Sequence, residues 1–457
     1  MKNKKLVFSA ILILLPSFGL PAASRAQVSA PAAALAMPQV PPIIAAIQAA
    51  KAKLENVSLN HALTPVYKSV KNKSTGKTSK TISGYNLSAK DIALAIADPA
   101  GNITITKGML TGSKASFRDP AVDVAMTKFN GVNSRFQVNR PAGGAVVALK
   151  YLISAADSGS QKAIEAGLST VLYVPYSDQL NSPDVIAYGQ NYLDGVIAQA
   201  ALQLRNLPSA SIPGQALTEA IPPAMLKSLV YAEHTDSSAI AAGNVQDALD
   251  QLNIIFATNQ GDAYKYSVSG DGYASRGIAQ FIQSTYASLV SRHPEAGLNP
   301  DYVAGMADHV NSLKAMYLLL DDYAGDVRAR SGGNFLPSRV FEYGAASYNA
   351  GATRVAKAVS QFGDSWNQDR SQQISAQQNQ AATLAQQAKT LQSKIKTAKD
   401  KQTKSSLQNQ LAAVQGQLSQ TQDAVASLQA ASLKNETLNY LKKVYAVVQF
   451  FNTQTAG

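Results

Sequence analysis

The pattern of apolar and polar residues divides the chain into a β-rich stretch and a longer helical stretch. In the first, the apolar runs 92–96 and 103–106 flank an Asp-Pro-Ala-Gly sequence at residues 98–101. Two β-prone runs around such a turn predict a β-hairpin. From residue 145 onward the pattern favours helices, and residues 185–207 carry apolar side chains at helical spacing. Residues 51–208 are therefore predicted to form a mixed α/β accessory region, to which no chemistry can be assigned.

Residues 215–365 are predicted to be mostly helical, because apolar side chains recur there every three or four positions. A loop containing Gly277 leads into a helix with Ile278 and Phe281 on its apolar face. The most regular helix is predicted over residues 299–323, as part of the core. Pro337 begins a further helix that carries Tyr348.

Residues 369–433 change character, with Gln, Ala, Ser and Lys dominating. Their apolar residues follow two seams with steps of three and four, which is typical of a coiled coil. The first seam contains Leu384, Ala388, Leu391, Ile395 and Ala398; the second contains Leu407, Leu411, Val414, Leu418, Thr421, Val425 and Leu428. The seams do not share one phase, and the break at residues 399–404 favours a helical hairpin over one continuous rod. Each arm would reach about 40 Å at 1.5 Å per residue.

The N-terminus resembles a secretory signal, with lysines at residues 2–5, a short apolar run, and Ser-Arg-Ala at residues 24–26. We expect residues 1–26 to be a cleaved signal peptide, an uncleaved anchor being the alternative. Residues 27–50, rich in Ala and Pro, are expected to form a linker. This interpretation predicts export to the periplasm or cell envelope, with no stable membrane span after cleavage.

Charge and composition narrow the function classes. The net charge is +12, of which the signal carries four, so the remainder carries about +8, which favours residence near polyanions such as an envelope surface. The signal and the lack of a basic-aromatic motif argue against nucleic acid as a partner. The chain has no cysteine, which excludes thiol chemistry, and its four histidines lack zinc-ligand spacing. We expect neither a metal nor a cofactor.

Glu233 is the residue whose position suggests chemistry. Pro222-Pro223 begins a short helix, and Glu233 falls on its apolar face, four residues after Leu229 and seven after Leu226. A carboxylate on a buried stripe must be paired, protonated or functional. Burial raises the pKa of a carboxyl group, which a general acid near neutral pH requires. The alternative, which periodicity alone favours, is a glutamate that faces solvent or forms an internal salt bridge.

Three further segments give Glu233 a context: Gly277 with Ala279-Gln280, Ser-Tyr-Asn-Ala-Gly at residues 347–351, and Glu-Thr-Leu-Asn-Tyr-Leu at residues 436–441. In this order they resemble the catalytic domain of the soluble lytic transglycosylases, lysozyme-like enzymes that cut the glycan strands of peptidoglycan. The family has a catalytic Glu on a short helix, a Gly-bearing segment leading into Met-Gln, then Ala-Tyr-Asn-Ala-Gly, and a closing Glu-Thr-x-x-Tyr-Val.

The resemblance covers about residues 215–365 and 434–452, and the chain departs from the family pattern in three places. His234 stands where the family usually has Ser, Ala279 replaces Met, and the spacing from Glu233 to Gly277 is longer than usual. These departures affect the details of the sugar subsites more than the identity of Glu233.

The resemblance implies an α+β chain with a mostly α-helical, lysozyme-like catalytic domain in two parts. The first part is residues 215–368 and the second is the closing helix at residues 434–457. The coiled-coil hairpin at residues 369–433 is an insertion between them, and the mixed α/β region precedes them. By the same resemblance Glu233 is the single catalytic acid and base, and the substrate-binding residues are Gly277, Gln280, Tyr348 and Asn349.

The implied activity is cleavage of the β-1,4 bond between N-acetylmuramic acid and N-acetylglucosamine, with formation of a 1,6-anhydro ring and without a cofactor. One alternative is a hydrolytic lysozyme on the same fold, with Asp236, Asp262 or Asp271 as second carboxylate. Another is a non-catalytic protein that binds the wall or acts as a scaffold. The hairpin could hold a protein partner or restrict access to the cleft.

Overall fold

The computed structural model describes residues 40–455, apart from residues 72, 73, 75, 76, 156 and 267–273. The predicted signal peptide at residues 1–26 and the first part of the predicted linker lie outside the described residues. The chain has an α+β fold, as predicted. Its strands are β1 (His61–Lys71), β2 (Thr78–Ala97), β3 (Ile103–Thr111), β4 (Lys114–Phe117), β5 (Asp123–Lys128), β6 (Arg135–Arg140), β7 (Ala145–Ser154), β8 (Ser158–Gly159) and β9 (Leu168–Tyr173).

The helices occupy most of the remaining sequence. They are α1 (Pro42–Glu55), α2 (Gln161–Ala166), α3 (Pro183–Leu204), α4 (Leu217–Ala220), α5 (Pro223–His234), α6 (Ser237–Ala241), α7 (Val245–Asn259), α8 (Gln283–Arg292), α9 (Tyr302–Ala307), α10 (His309–Arg330), α11 (Val340–Ala350), α12 (Ala352–Phe362), α13 (Ser371–Thr397), α14 (Lys401–Ala431) and α15 (Asn435–Thr455). Within the described residues, no helix has both the length and the apolar character needed to cross a bilayer.

An antiparallel sheet organises residues 61–173. Its strand order is β4-β3-β2-β7-β9, with β1 and β8 also paired to β2. The predicted hairpin is present, since β2 pairs with β3 and Ala97 lies opposite Ile103. The prediction of helix from residue 145 onward is wrong for β7 and β9. The start of β7 is buried without a break from Ala145 to Leu149, and a short apolar run of this kind does not distinguish a strand from a helix.

The two faces of β2 pack against different elements. Leu94 and its two same-face neighbours share a hydrophobic core with apolar residues of the small sheet formed by β5 and β6. The opposite face carries alanines, and their small side chains let α1 lie close, with Ile47 and Leu54 fully buried against them. Helix α1 begins at Pro42, so the prediction of a linker over residues 27–50 is wrong from that point.

Helix α10 is the centre of the helical part, and it packs against α3, α11 and α12. The single helix predicted for residues 299–323 is instead two helices, because Asp308 ends α9 and its carboxylate caps α10 by accepting a hydrogen bond from Asn311 N at 3.1 Å. Val303, predicted to lie in the core, is 55% exposed. Apolar residues continue at helical spacing across Asp308, so the sequence pattern gave no sign that the helix is interrupted there.

A buried carboxylate joins α10 to the loop that follows α3. Asp321 is buried in α10 and accepts hydrogen bonds from the Ser209 hydroxyl at 2.6 Å, from the Ala210 amide at 2.5 Å, and from the amide and hydroxyl of Ser211. These hydrogen bonds bind the loop to the central helix.

Helices α13 and α14 run along each other and are joined at residues 398–400, which overlap the break predicted at residues 399–404; residues 401–404 already belong to α14. The residues of both predicted seams are buried or half-buried, whereas most of their neighbours on these helices are exposed. The base of the pair rests on α12: the Arg370 guanidinium stacks 3.6 Å from the Phe362 ring centroid, and Gln361 donates to the Ser427 hydroxyl at 3.2 Å. The chain then returns through α15, which packs on α5 and α11.

Candidate functional site

Glu233 lies in the last turn of α5, the helix that its sequence pattern predicted. Leu226 and Leu229 on the same face are fully buried and hold the helix in the core. The Glu233 side chain keeps partial exposure at the end of this buried stripe. Its Oε1 accepts a hydrogen bond from the hydroxyl of Tyr440, which projects from α15. Two segments separated by about 200 positions thus meet at this carboxyl group.

Burial raises the pKa of the Glu233 carboxyl, and the Tyr440 hydrogen bond and the Lys443 ammonium oppose that rise. Loss of hydration disfavours the ionised form more strongly than these two neighbours favour it. Lys443 lies on the same helix as Tyr440 and donates to the Thr235 carbonyl at 3.2 Å. Its own pKa is lowered by burial. The group is therefore a carboxyl biased toward the protonated form, with a cation close by.

The Gly277 segment forms a tight turn rather than the start of a helix. Arg276 and Phe281 exchange backbone hydrogen bonds across it, and α8 begins only at Gln283. Gly277 adopts φ +73°, and a Cβ there would collide with the Met306 carbonyl. Glycine is required at this position by backbone conformation and packing. Gly277 is buried, so the structure gives this predicted substrate-binding residue a role in shaping the turn.

Gln280 stands at the end of this turn with φ +50°, and its side chain folds back on the turn. Its amide donates to Gly277 O at 2.7 Å, and its Oε1 accepts from the Ser275 hydroxyl at 3.2 Å. A non-glycine residue with positive φ is uncommon and costs of order 1–3 kcal/mol. The partly exposed Gln280 thus braces the loop as well as lining its surface.

Two side chains hold the turn against the Glu233 helix. The Tyr348 hydroxyl, from α11, donates to Ala279 O, and its ring packs edge-on against Phe281 with centroids 5.9 Å apart. His234 Nε2 lies 2.7 Å from Ile278 O, and the ring stacks on Tyr264 at 3.8 Å. A carbonyl accepts, so Nε2 carries the proton.

Burial lowers the pKa of His234 to about 4, which keeps the ring neutral near neutral pH. His234 therefore places a second tie on the Gly277 turn, next to the candidate acid.

Asn349 is exposed and lies next to the closing helix, where its Oδ1 accepts from the buried Thr437 hydroxyl at 2.8 Å. Gly351 follows with φ +81° and separates α11 from α12. The Thr of the closing segment therefore orients the Asn of the Tyr-Asn pair, and the Tyr of the closing segment contacts the candidate acid.

The structure brings together all four segments that the sequence singled out: α5, the Gly277 turn, the end of α11 and the start of α15. Tyr440, Lys443 and His234 are the residues of this site to which sequence reasoning assigned no role. Tyr440 lay within the quoted Glu-Thr-x-x-Tyr segment, so its position was visible but its partner was not. Lys443 follows it by three residues, on the same side of a helix.

Of the candidate second carboxylates, the structure describes Asp236 and Asp262, and both have other partners. Asp236 is exposed and caps α6 by accepting from Ser238 N at 2.8 Å. Asp262 is paired with Lys265 at 3.1 Å. Asp271 lies outside the described residues. The charged neighbour that acts on the Glu233 pKa is Lys443.

A pocket of about 400 Å³ adjoins the residues that follow Glu233. Its walls come from the α5–α7 region, including His234 and Asp236, and from the β5–β6 sheet, including Lys128 and Arg135. Glu233 is not part of this lining. The pocket shows that the accessory region and the helical part share a surface beside the site. Across the described residues, His, Asp and Glu do not gather in groups of three or more that could hold a metal.

No protein-family model matches the sequence, and no curated protein or solved structure is detectably similar to it.

Proposed function

We propose that this chain is a peptidoglycan lytic transglycosylase with Glu233 as its single acid and base. The observation that carries the proposal is the meeting of four sequence-distant segments around one carboxyl whose pKa is raised by burial. Each of these segments carries one of the motifs by which the sequence resembles the family. A coincidental set of motifs would have no reason to converge.

The proposed fold of the helical part is lysozyme-like, formed by residues 215–368 and 434–457, with a coiled-coil hairpin inserted at residues 369–433. What supports the insertion is that α15 returns after the hairpin to place Tyr440 against Glu233. The hairpin residues contribute none of the contacts described above for the carboxyl or the turn.

In the proposed reaction, protonated Glu233 donates its proton to the glycosidic oxygen as the bond to N-acetylglucosamine breaks. The 2-acetamido oxygen of the muramic acid residue stabilises the positive charge at its anomeric carbon, a substrate-assisted variation on the two-carboxylate scheme. Glu233, now ionised, takes the proton of the 6-hydroxyl, whose oxygen bonds to the anomeric carbon and closes the 1,6-anhydro ring. Tyr440 and Lys443 stabilise the ionised carboxylate between these steps.

The hydrolytic alternative requires water in place of the 6-hydroxyl and commonly a second carboxylate. Asp236 and Asp262 both have structural partners in the described chain. This arrangement favours the single-carboxyl reaction.

Product analysis tests the proposal. Purified glycan strands are digested with the protein, and the released fragments are weighed by mass spectrometry. We expect muropeptides that end in 1,6-anhydro-muramic acid, and none from the Glu233→Gln variant. Fragments heavier by one water would identify a hydrolase. Absence of cleavage by the wild-type protein would favour a wall-binding or scaffold role.

We propose that the protein is exported to the cell envelope, where its glycan substrate lies.

We also propose that the coiled-coil hairpin at residues 369–433 binds a partner protein. The outer faces of α13 and α14 are exposed and carry no Glu. Replacing residues 371–432 by a short linker tests the role of the hairpin. Retained glycan cleavage with altered localisation supports partner binding, whereas a changed cleavage rate supports control of access to the cleft.

A further inference from the structure

The outer ends of β1 and β2 form a two-stranded hairpin that extends beyond the rest of the sheet. Residues 92–97 of β2 lie between β3 and β7, and residues 85 and 86 pair with both β1 and β8. Among the described strands, residues 78–84 pair with β1 alone. We name residues 66–71 and 78–83 the outer hairpin. At 3.3 Å per residue it projects by roughly 20 Å.

The outer hairpin exposes large apolar side chains on both of its faces. On one face Tyr67 is 57% exposed and lies opposite Ile82, which is 50% exposed. On the other face Val66 is 38% and Val70 40% exposed. A two-stranded hairpin with no covered face is at best marginally stable in water, and exposed apolar patches mark surfaces that meet a partner.

Serine hydroxyls of β2 add hydrogen bonds between the two strands of the outer hairpin, which side-chain packing does little to stabilise. Ser79 donates to Val70 O at 3.4 Å and Ser83 donates to Val66 O at 3.1 Å. These bonds hold the strands together without burying the apolar residues. The apolar surface therefore stays presented to solvent in a defined arrangement.

The same segment is strongly basic. Between Glu55 and Asp91 the sequence contains no acidic residue, and its lysines are Lys68, Lys71, Lys73, Lys77, Lys80 and Lys90. Of these, Lys68, Lys71 and Lys80 are exposed on the outer hairpin, and Lys77 is exposed beside it. Within the part of the chain that the structure describes, these four form no ion pair.

We propose that the outer hairpin binds the surface of an anionic lipid bilayer. The lysines meet the phosphate headgroups, and Tyr67 and Ile82 enter the layer between headgroups and acyl chains. Clustered lysines are attracted to anionic leaflets, and tyrosine favours this interface because it combines an apolar ring with a polar tip. A nucleic acid would also take the lysines, but it offers no partner to Ile82 and Val70. The proposal is independent of the proposed glycan cleavage.

Flotation of the full chain with vesicles tests the proposal. One set of vesicles is phosphatidylcholine and the other contains phosphatidylglycerol in addition. We expect the protein to float with the second set only, and less at high salt. Changing Lys68, Lys71 and Lys80 together to Gln removes three headgroup contacts and should lower the partition coefficient about a hundredfold, at about fivefold for each lysine. Changing Tyr67 and Ile82 together to Ser should lower it about tenfold.

The matched control changes three exposed lysines of α13 and α14, Lys389, Lys396 and Lys404, to Gln. It makes the same change in net charge and should leave the partition coefficient unchanged. An equal loss in this control, or equal flotation with both vesicle sets, would overturn the proposal. Wild-type flotation of the Tyr67 and Ile82 variant would also overturn it, because these side chains would then not enter the bilayer. Full competition by a single-stranded oligonucleotide would assign the surface to a soluble polyanion instead.

Discussion

Two carboxyl groups lie inside the helical part of the chain, and they differ in the hydrogen bonds that reach them. Asp321 accepts from two hydroxyls and two backbone amides of the loop after α3, three of these hydrogen bonds at Oδ1 and one at Oδ2. Glu233 accepts from one phenol and has a lysine nearby. Burial raises the pKa of the Glu233 carboxyl despite these two neighbours, so this group is the one biased toward holding a proton.

The hydrogen bonds alone, without any sequence motif, distinguish Asp321 as a structural carboxylate from Glu233 as the candidate acid. Asp321 binds a loop to the central helix, and its hydrogen bonds are part of the stable fold. Glu233 lies at a helix end with partial exposure, where a substrate can reach it. Acidic residues on helices of this chain thus lie in two different environments, which differ in the number of local hydrogen-bond donors.

Replacing Glu233 by Gln should have the largest effect on activity. The amide keeps the shape but cannot donate and recover a proton, so we expect glycan cleavage to fall about a thousandfold. A zymogram or a reducing-end assay measures the loss. Asp236→Asn is the matched control, because Asp236 is exposed and caps α6, and its activity should stay close to that of the wild-type protein.

The same Glu233→Gln variant should not lose stability. A carboxyl with a raised folded-state pKa binds its proton more tightly in the folded chain, so its contribution to stability falls as pH rises from 4.5 through the folded-state value. The Gln side chain does not titrate, so the variant does not lose this stability as pH rises. The free energy of unfolding of the variant should therefore increase relative to that of the wild type between pH 4.5 and the folded-state pKa of Glu233. A difference that grows in the wild type's favour would contradict a raised pKa.

Replacing Asp321 by Asn should have the largest effect on stability. The amide nitrogen would face groups that are themselves donors, which leaves buried hydroxyls or amides unpaired and costs about 3 kcal/mol in free energy of unfolding. Urea unfolding measures this cost. The control is Asp326→Asn in the same helix, which loses only an exposed pair with Arg330 at 3.9 Å and should cost less than about 0.5 kcal/mol. Equal losses in both variants would remove the distinction drawn between the two carboxyl groups.

Tyr440→Phe should lower activity less than Glu233→Gln does, and it should also shift the pH profile. The hydroxyl is the hydrogen-bond donor that lowers the Glu233 pKa, so its loss should raise that pKa further. We expect about a tenfold fall in cleavage rate, with the alkaline limb of the pH profile moved to higher pH. Tyr445→Phe is the control, since its hydroxyl donates to Glu342 at 2.7 Å, away from the candidate acid. A limb that moves equally in both variants would show that Tyr440 has no direct influence on Glu233.

Much of this site could be predicted from the sequence because it depends on local order. The helix after Pro222-Pro223, the glycine turn, the Tyr-Asn pair and the closing helix are each short segments with their own signals. What the sequence could not provide is which atoms meet. Gly277 and Gln280 were expected to line the substrate cleft, yet Gly277 is needed for its close approach to Met306 and Gln280 bonds back to its own turn.

The errors in the fold have a common physical origin. The spacing of apolar residues indicates which positions are buried, but it does not show where one helix ends and the next begins. For this reason α9 and α10 were predicted to be one helix despite the cap at Asp308. In β7 the continuous apolar run belongs to a strand that is buried on both faces, whereas the sequence prediction assigned this region to a helix. Helix α1 was missed because its Ala and Pro content is typical of linkers, although Ile47 and Leu54 pack fully against the sheet.

Lys443→Gln should have the smallest effect, and it tests the electrostatic part of the contrast between Glu233 and Asp321. The ammonium favours the ionised form of Glu233, so its removal should raise the Glu233 pKa and move the alkaline limb to higher pH, in the same direction as Tyr440→Phe. The rate near neutral pH should change by less than about threefold, because the proton donor itself is retained. Lys442→Gln is the control: this lysine precedes Lys443 in the sequence, carries the same charge and is exposed, so its variant should keep the wild-type limb. Equal shifts in both variants would mean that net charge alone, rather than the position of Lys443, tunes the candidate acid.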